Sequence, residues 1–252
     1  MSRVMALTCS LVTLSTMTTS VMAQPAIWES NYGSSLFLSG SDDDAEMVSL
    51  SFAFSYGGVT TNNLYVGTNG GIGVGGIGEA DDYPSGDEFL FTSDPMLAVF
   101  WSDLDLSDIG EVYFNDFGNR AVITWDGVGS YQNANIPFTF QAQVFDNGTI
   151  IFGYNGIPEI NDSNLDTNVH VGLTPGNLTD WPSTVDYSSA PFHVAGQTIL
   201  ELWEYDAGVA FDLDMMNVIF RPDGLGGYTV TVPVPATTAL LGIIGLAGRR
   251  RR

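Results

Sequence analysis

Alternating apolar and polar positions along most of the chain predict β-strands. The clearest segment is 136–145, in which Phe138, Phe140, Ala142 and Val144 would share one face. Successive side chains of a strand point to opposite faces, so this alternation predicts a half-buried strand. The apolar run at 97–101 also predicts a strand.

Turn residues separate these segments throughout the chain. Asp146-Asn147-Gly148 is a strong hairpin signal, and it lies between two strand patterns. Residues 198–205 fit either a short helix or a strand. Further strand patterns occur at 47–54, 63–66, 72–74, 111–114, 121–125, 149–154, 168–173, 218–221 and 227–232. Many short strands with long loops predict an all-β chain, with a single β-sandwich domain over residues 24–231.

The first 23 residues predict a signal peptide. One charge, Arg3, precedes a mildly apolar stretch that ends in Val21-Met22-Ala23, which suits cleavage after Ala23. The alternative is a buried N-terminal strand or helix. Cys9 is the only cysteine, so a cleaved chain would have no thiol for a disulfide or a cysteine-ligated zinc.

Residues 232–252 form a tail in three parts. The first part is Val232, Pro233, Val234, Pro235 and Ala236. A short apolar helix is predicted at 239–247, although it is shorter than the ~20 residues that a spanning helix needs. The chain then ends in Arg249, Arg250, Arg251 and Arg252, which would lie at the cytoplasmic face of a membrane.

The order of these parts resembles a PEP-CTERM sorting tail, in which a Pro-Glu-Pro motif precedes an apolar segment and an arginine cluster. Val234 stands where that motif usually has glutamate. The resemblance implies an exosortase-type processing enzyme as a partner, and membrane contact through this tail alone. An ordinary C-terminal anchor is the alternative.

The net charge of the chain limits the classes of partner that it can bind. Between the two terminal segments, 29 acidic residues stand against Arg120 and Arg221, and lysine is absent, which leaves a net charge of −27. Nucleic acid and anionic lipid are excluded as partners of this part, because both require positive charge on the protein. The same charge suits a saline medium or the binding of divalent cations.

Five short motifs resemble, in the same order, the extracellular nidogen-like (NIDO) domain. They lie within about 48–173, at 52–58, 64–70, 100–105, 121–131 and 138–141. The resemblance implies a secreted β-rich module of adhesive and matrix proteins, with no catalytic residues. Exopolysaccharide or matrix proteins would be its partners.

Candidate chemistry is sparse. His170 and His193 are the only histidines, which is too few for a convincing metal or nucleophile site, and His170 is predicted on the polar face of a strand. Paired carboxylates allow a secreted carbohydrate hydrolase as an alternative function.

No resident cofactor is expected, but two segments carry oxygen ligands at alternate positions, as calcium loops do: 103–108 and 162–166. Asp103 and Asp105 would otherwise accept hydrogen bonds from loop amides. The sequence thus favours an exported, non-catalytic protein of the cell surface or extracellular matrix, with a calcium-stabilised module as a further alternative.

Overall fold

The chain is all-β, as predicted, and forms two antiparallel sheets. This computed structural model describes residues 27–85 and 92–233. Two short 3-10 helices, Tyr187–Ser189 and Tyr205–Ala207, accompany the strands. The strands in chain order are β1 (Ser34–Ser35), β2 (Ala45–Tyr56), β3 (Val59–Gly67), β4 (Gly71–Val74), β5 (Met96–Trp101), β6 (Leu104–Asp105), β7 (Glu111–Asp116), β8 (Arg120–Ser130), β9 (Phe138–Phe145), β10 (Ile150–Tyr154), β11 (Val169–Thr174), β12 (Phe192–Val194), β13 (Ile199–Trp203), β14 (Asn217–Pro222) and β15 (Tyr228–Thr231).

The larger sheet has the strand order β1-β7-β8-β9-β10-β14-β15-β12. A further strand, β6, pairs with β8 but is not part of this order. The smaller sheet has the order β13-β11-β5-β4-β3-β2. Two strands exceed the short lengths predicted, since β2 has 12 residues and β8 has 11. The ambiguous segment 198–205 is mainly a strand, β13, and the second 3-10 helix follows it.

Aromatic side chains pack the two sheets against each other. Phe100 of the smaller sheet contacts Phe138 and Phe140 of the larger one, with ring centroids 5.4 and 5.3 Å apart. Trp125 stacks on Phe140 at 4.8 Å and donates its indole N–H to the carbonyl oxygen of Gly67 at 2.9 Å. This bond joins β8 to β3 and therefore ties one sheet to the other.

A β-bulge in β5 determines which side chains enter this core. Val99 and Phe100 lie together opposite the single residue Val171 of β11. A bulge interrupts the alternation of a strand and re-aims the side chains that follow. Both Val99 and Phe100 consequently belong to the core between the sheets, whereas Trp101 belongs to a small apolar cluster outside it.

The N-terminal segment covers the outer face of β9. The predicted alternation is confirmed on the inner face, but Gln141 and Gln143 on the other face are also buried. Their amides are satisfied, because Gln143 donates to the carbonyl oxygen of Ile27 and Gln141 to that of Glu29, each at 3.0 Å. The segment before β1 is thus part of the fold.

The terminal predictions fall mostly outside the described residues. Ala23 and the signal segment do so, as do Val234, Pro235, Ala236, the apolar helix and the four final arginines. Val232 and Pro233 follow directly after β15, which ends at Thr231. Over residues 27–85 and 92–233, no helix has the length and apolar character needed to cross a membrane.

The aromatic core generates a stability prediction. Phe140→Ala should lower the free energy of unfolding by roughly 3–5 kcal/mol, because truncation of a buried Phe leaves a cavity. Phe37 is 92% exposed, so Phe37→Ala should change it by less than about 0.5 kcal/mol. Urea unfolding followed by tryptophan fluorescence measures both, and equal effects would contradict the assigned core.

Candidate functional site

Four aspartates surround a cavity of about 410 Å³ at one end of the smaller sheet. We call this cavity the acidic pocket and its carboxylates, from Asp42, Asp43, Asp103 and Asp166, the pocket aspartates. Single carboxylate oxygens of the first three lie within 4.8 Å of one another. The remaining lining residues are Tyr83, Tyr131 and Thr167.

The strand order of the smaller sheet brings these residues together. Asp42 and Asp43 precede β2, Asp103 follows β5, and Asp166 precedes β11. β11 is antiparallel to β5, and three successive antiparallel pairings make β2 antiparallel to β5 as well. The starts of β2 and β11 therefore meet the end of β5 at one end of the sheet.

Hydrogen bonds of Asn69 and Thr167 hold the three loops in place. The amide of Asn69, in the turn between β3 and β4, accepts a hydrogen bond from the backbone N–H of Leu104 at 2.7 Å. It also donates to Oδ1 of Asp43 at 2.8 Å. Oγ1 of Thr167 accepts the backbone N–H of Asp103 at 2.8 Å. The donors of all three hydrogen bonds are therefore uncharged amides.

The acidic pocket has a strong negative field. Asp103 is only 6% exposed, and burial, with the added charge of Asp166, Asp42 and Asp43, raises its pKa to about 7. Burial and neighbouring carboxylates also raise the pKa of Asp42. The pKa of the Tyr83 phenol is raised as well, chiefly by the charge of Asp103. The raised pKa values reflect an environment that disfavours further negative charge in the pocket.

The two segments with oxygen ligands at alternate positions, 103–108 and 162–166, each supply one pocket aspartate. In 103–108, only Asp103 lines the pocket, because Oδ1 of Asp105 accepts the backbone N–H of Ser107 at 2.6 Å and Asp108 is exposed. In 162–166, only Asp166 lines it. The two segments therefore contribute one aspartate each to a single cluster.

Asp42 and Asp43 were missed as site residues by sequence reasoning. The run Asp42-Asp43-Asp44 has the composition of an acidic turn before a strand. Three consecutive aspartates were the available signal, but their spacing does not match that of a calcium loop. Their place in the acidic pocket depends on the pairing of β2 with β3.

The two histidines lie in different sheets. The prediction of a polar face for His170 was wrong, since it is 3% exposed and packs between the rings of Trp101 and Trp181. Loops cover the outer face of the smaller sheet at this point: Trp101, for example, donates its indole N–H to the carbonyl oxygen of Asp82 at 2.8 Å. His193 lies on β12 and pairs with Asp223 at 2.7 Å.

A second acidic group, Asp186, Glu201 and Asp212, has structural partners. Oε2 of Glu201 accepts the backbone N–H of Tyr187 at 2.7 Å. Oδ1 of Asp186 accepts the hydroxyl of Ser188 and the backbone N–H of Ser189, which caps the first 3-10 helix. Glu201 and Asp186 therefore stabilise the first 3-10 helix, and this structural role accounts for the acidic group.

The family of the chain follows from a comparison with protein-family models. The model described as NIDO related matches residues 20–201, which is most of the chain. The protein belongs to the NIDO-related family, and this membership indicates an extracellular domain. The matched range extends beyond the predicted 48–173 on both sides. No solved structure matches the chain.

The second acidic group generates a prediction on pH. Glu201 is 8% exposed, and burial, with the charges of Asp212 and Asp186, raises its pKa from about 4.5 to about 8. The folded state therefore holds a proton that the unfolded state releases in this window, so stability should fall as pH rises from about 5 to 8.

Glu201→Gln removes this titration and keeps an acceptor for the N–H of Tyr187. Its free energy of unfolding should fall less than that of the wild type between pH 5 and 8.5, as measured by urea unfolding. Glu204→Gln, at an exposed position nearby, should keep the wild-type pH dependence. If Glu201→Gln keeps it too, the assigned titration is wrong.

Proposed function

We propose that this protein is an exported, non-catalytic module of the cell surface or extracellular matrix, with a structural or adhesive role. The single observation that carries the proposal is its membership of the NIDO-related family, matched over residues 20–201. Exopolysaccharide or matrix proteins are the proposed partners.

The charge distribution supports an extracellular role. Arg120 is engaged by Glu29 and Gln143, and Arg221 donates to the hydroxyl of Thr231 at 3.0 Å. The folded part therefore offers a strongly acidic surface, which repels anionic polymers at low salt and is screened within about 10 Å at an ionic strength of 0.1 M. Partners recognised through neutral hydroxyls or through bridging cations fit this surface best.

The proposed route to the surface uses both ends of the chain. A signal peptide would be cleaved after Ala23, and the tail from Val232 would direct sorting by an exosortase-type enzyme. β15 ends at Thr231, so removal of the tail spares every described strand, but it removes Val232, which packs against the core. This separation allows sorting and folding to be tested independently.

Deletion of 232–252 should change where the protein accumulates. We expect the full chain in the cell-envelope or matrix fraction, and the deletion variant in a different fraction, when both are expressed in the native host and followed by immunoblot. A cooperative thermal melt of the purified deletion variant serves as the folding control, because loss of Val232 from the core can lower its melting temperature without unfolding it. Unchanged fractionation of a folded deletion variant would contradict the proposed tail function.

A secreted carbohydrate hydrolase is the second candidate function. The observation that favours it is Asp103, which has a pKa of about 7 and lies beside other carboxylates. Glycosidases likewise use one protonated carboxylic acid together with an ionised carboxylate. In that mechanism one carboxyl group protonates the leaving oxygen, and the other acts as nucleophile or base.

The non-catalytic proposal expects no turnover on a panel of exopolysaccharides at pH 5–8, measured as released reducing ends. Wild type and Asp103→Asn should give the same background, with binding of the polysaccharide as a separate readout. Turnover that disappears in Asp103→Asn but persists in Asp108→Asn would establish the hydrolase instead.

A further inference from the structure

We propose that the acidic pocket is a calcium site, in which the pocket aspartates are ligands of one ion. The proposal rests on the convergence of four carboxylates, on a buried carboxylate without a donor, and on the engagement of both arginines of the fold elsewhere. It is independent of the sorting tail and of the identity of any surface partner.

Asp103 is the observation that distinguishes this pocket from an ordinary acidic surface. It is 6% exposed and lines the cavity, and among the described residues none donates a hydrogen bond to its carboxylate. Its backbone is satisfied, since its N–H bonds to Thr167 and its carbonyl oxygen accepts the N–H of Tyr131. A buried carboxylate without a donor is costly, so the unpaired group calls for a cation.

Two other pocket aspartates are also incompletely satisfied. Oδ1 of Asp42 and Oδ1 of Asp166 are buried and lack a hydrogen-bond partner within the described part of the chain. The contrast with Asp105 is informative, because its Oδ1 accepts a backbone N–H in the same region. The fold thus provides amide donors for Asp105 and for Oδ1 of Asp43, but none for Oδ1 of Asp42 or Oδ1 of Asp166.

Positive side chains of the protein do not supply the missing charge. Lysine is absent from the sequence, and Arg120 and Arg221 are the only arginines between residues 24 and 231. The first is engaged by Glu29 and the second by Thr231. His193 is paired with Asp223 on the larger sheet. A cation from the medium is therefore the available counter-charge for the pocket.

The ligand chemistry selects calcium. Carboxylate and hydroxyl oxygens surround the pocket, and hard cations prefer such donors, whereas zinc and copper favour imidazole and thiolate. Oxygens that share a Ca²⁺ at about 2.3–2.6 Å lie at most about 5 Å apart, and the separations of up to 4.8 Å among Asp42, Asp43 and Asp103 fit this limit. Loops from three segments suit the flexible geometry of calcium better than the strict octahedron of magnesium.

The ion would cross-link three parts of the chain at one end of the smaller sheet. It would join the loop before β2, the corner after β5 and the loop before β11, which otherwise repel one another. Binding to the folded state alone stabilises a protein by mass action. The cavity of about 410 Å³ leaves room for water to complete the coordination shell.

The test measures binding and stability of the full-length protein. After treatment with chelator, Ca²⁺ should raise the melting temperature by about 5 °C or more at saturation, with one saturable site by isothermal titration calorimetry. Magnesium at the same concentration controls for screening of the net negative charge. Luminescence of bound Tb³⁺, excited through Tyr83 and Tyr131 at the pocket, gives a local readout that Ca²⁺ should abolish.

Asp103→Asn separates loss of binding from loss of folding. It should weaken Ca²⁺ binding at least about tenfold, as expected for loss of a charged ligand, and yet melt no lower than the wild type in chelator, since it removes a buried unpaired charge. Asp108→Asn and Asp162→Asn change exposed carboxylates of the same two segments and should bind Ca²⁺ as the wild type does.

Three results would overturn the proposal. The first is the absence of saturable Ca²⁺ binding by the wild-type protein at concentrations up to those of sea water. The second is equal stabilisation by Mg²⁺, which would indicate charge screening. The third is an equal loss of affinity in Asp103→Asn and Asp108→Asn, which would place the ion outside the acidic pocket.

Discussion

The packing of Phe100 between the two sheets is the contact on which the rest of the structure depends. The bulge opposite Val171 turns two consecutive side chains of β5 into the core and sends Trp101 to the opposite face. A regular strand would have placed only one of the two there. The same bulge determines how the chain leaves β5, and therefore where Asp103 lies.

Core packing holds together loops that electrostatics would separate. The pocket aspartates repel one another, and burial together with this repulsion raises the pKa of Asp103. Strand pairing, the amide of Asn69 and the hydroxyl of Thr167 resist the repulsion. An unfavourable arrangement persists only where the rest of the fold stabilises it. Such arrangements are often found at functional sites.

Membership of the NIDO-related family and the acidic character of the chain lead to a common interpretation. The family indicates an extracellular domain. An acidic domain that lacks lysine and has both of its arginines engaged depends on cations of the medium for its counter-charge. Divalent cations can link acidic surfaces to one another and to polymers, which suits the structural or adhesive role that we propose.

Sequence alone determined most of the strands and their hairpins, because alternation and turn signals depend on residues two to four positions apart. The inner face of β9 and the turn at Asp146-Asn147-Gly148 are examples. The short strands β1, β6 and β12 lie outside the predicted segments. Tertiary structure alone decided the burial of His170, which depends on distant loops, and the composition of the acidic pocket. Asp42, Asp103 and Asp166 are each separated by more than sixty residues, and only the antiparallel order of the smaller sheet makes them neighbours.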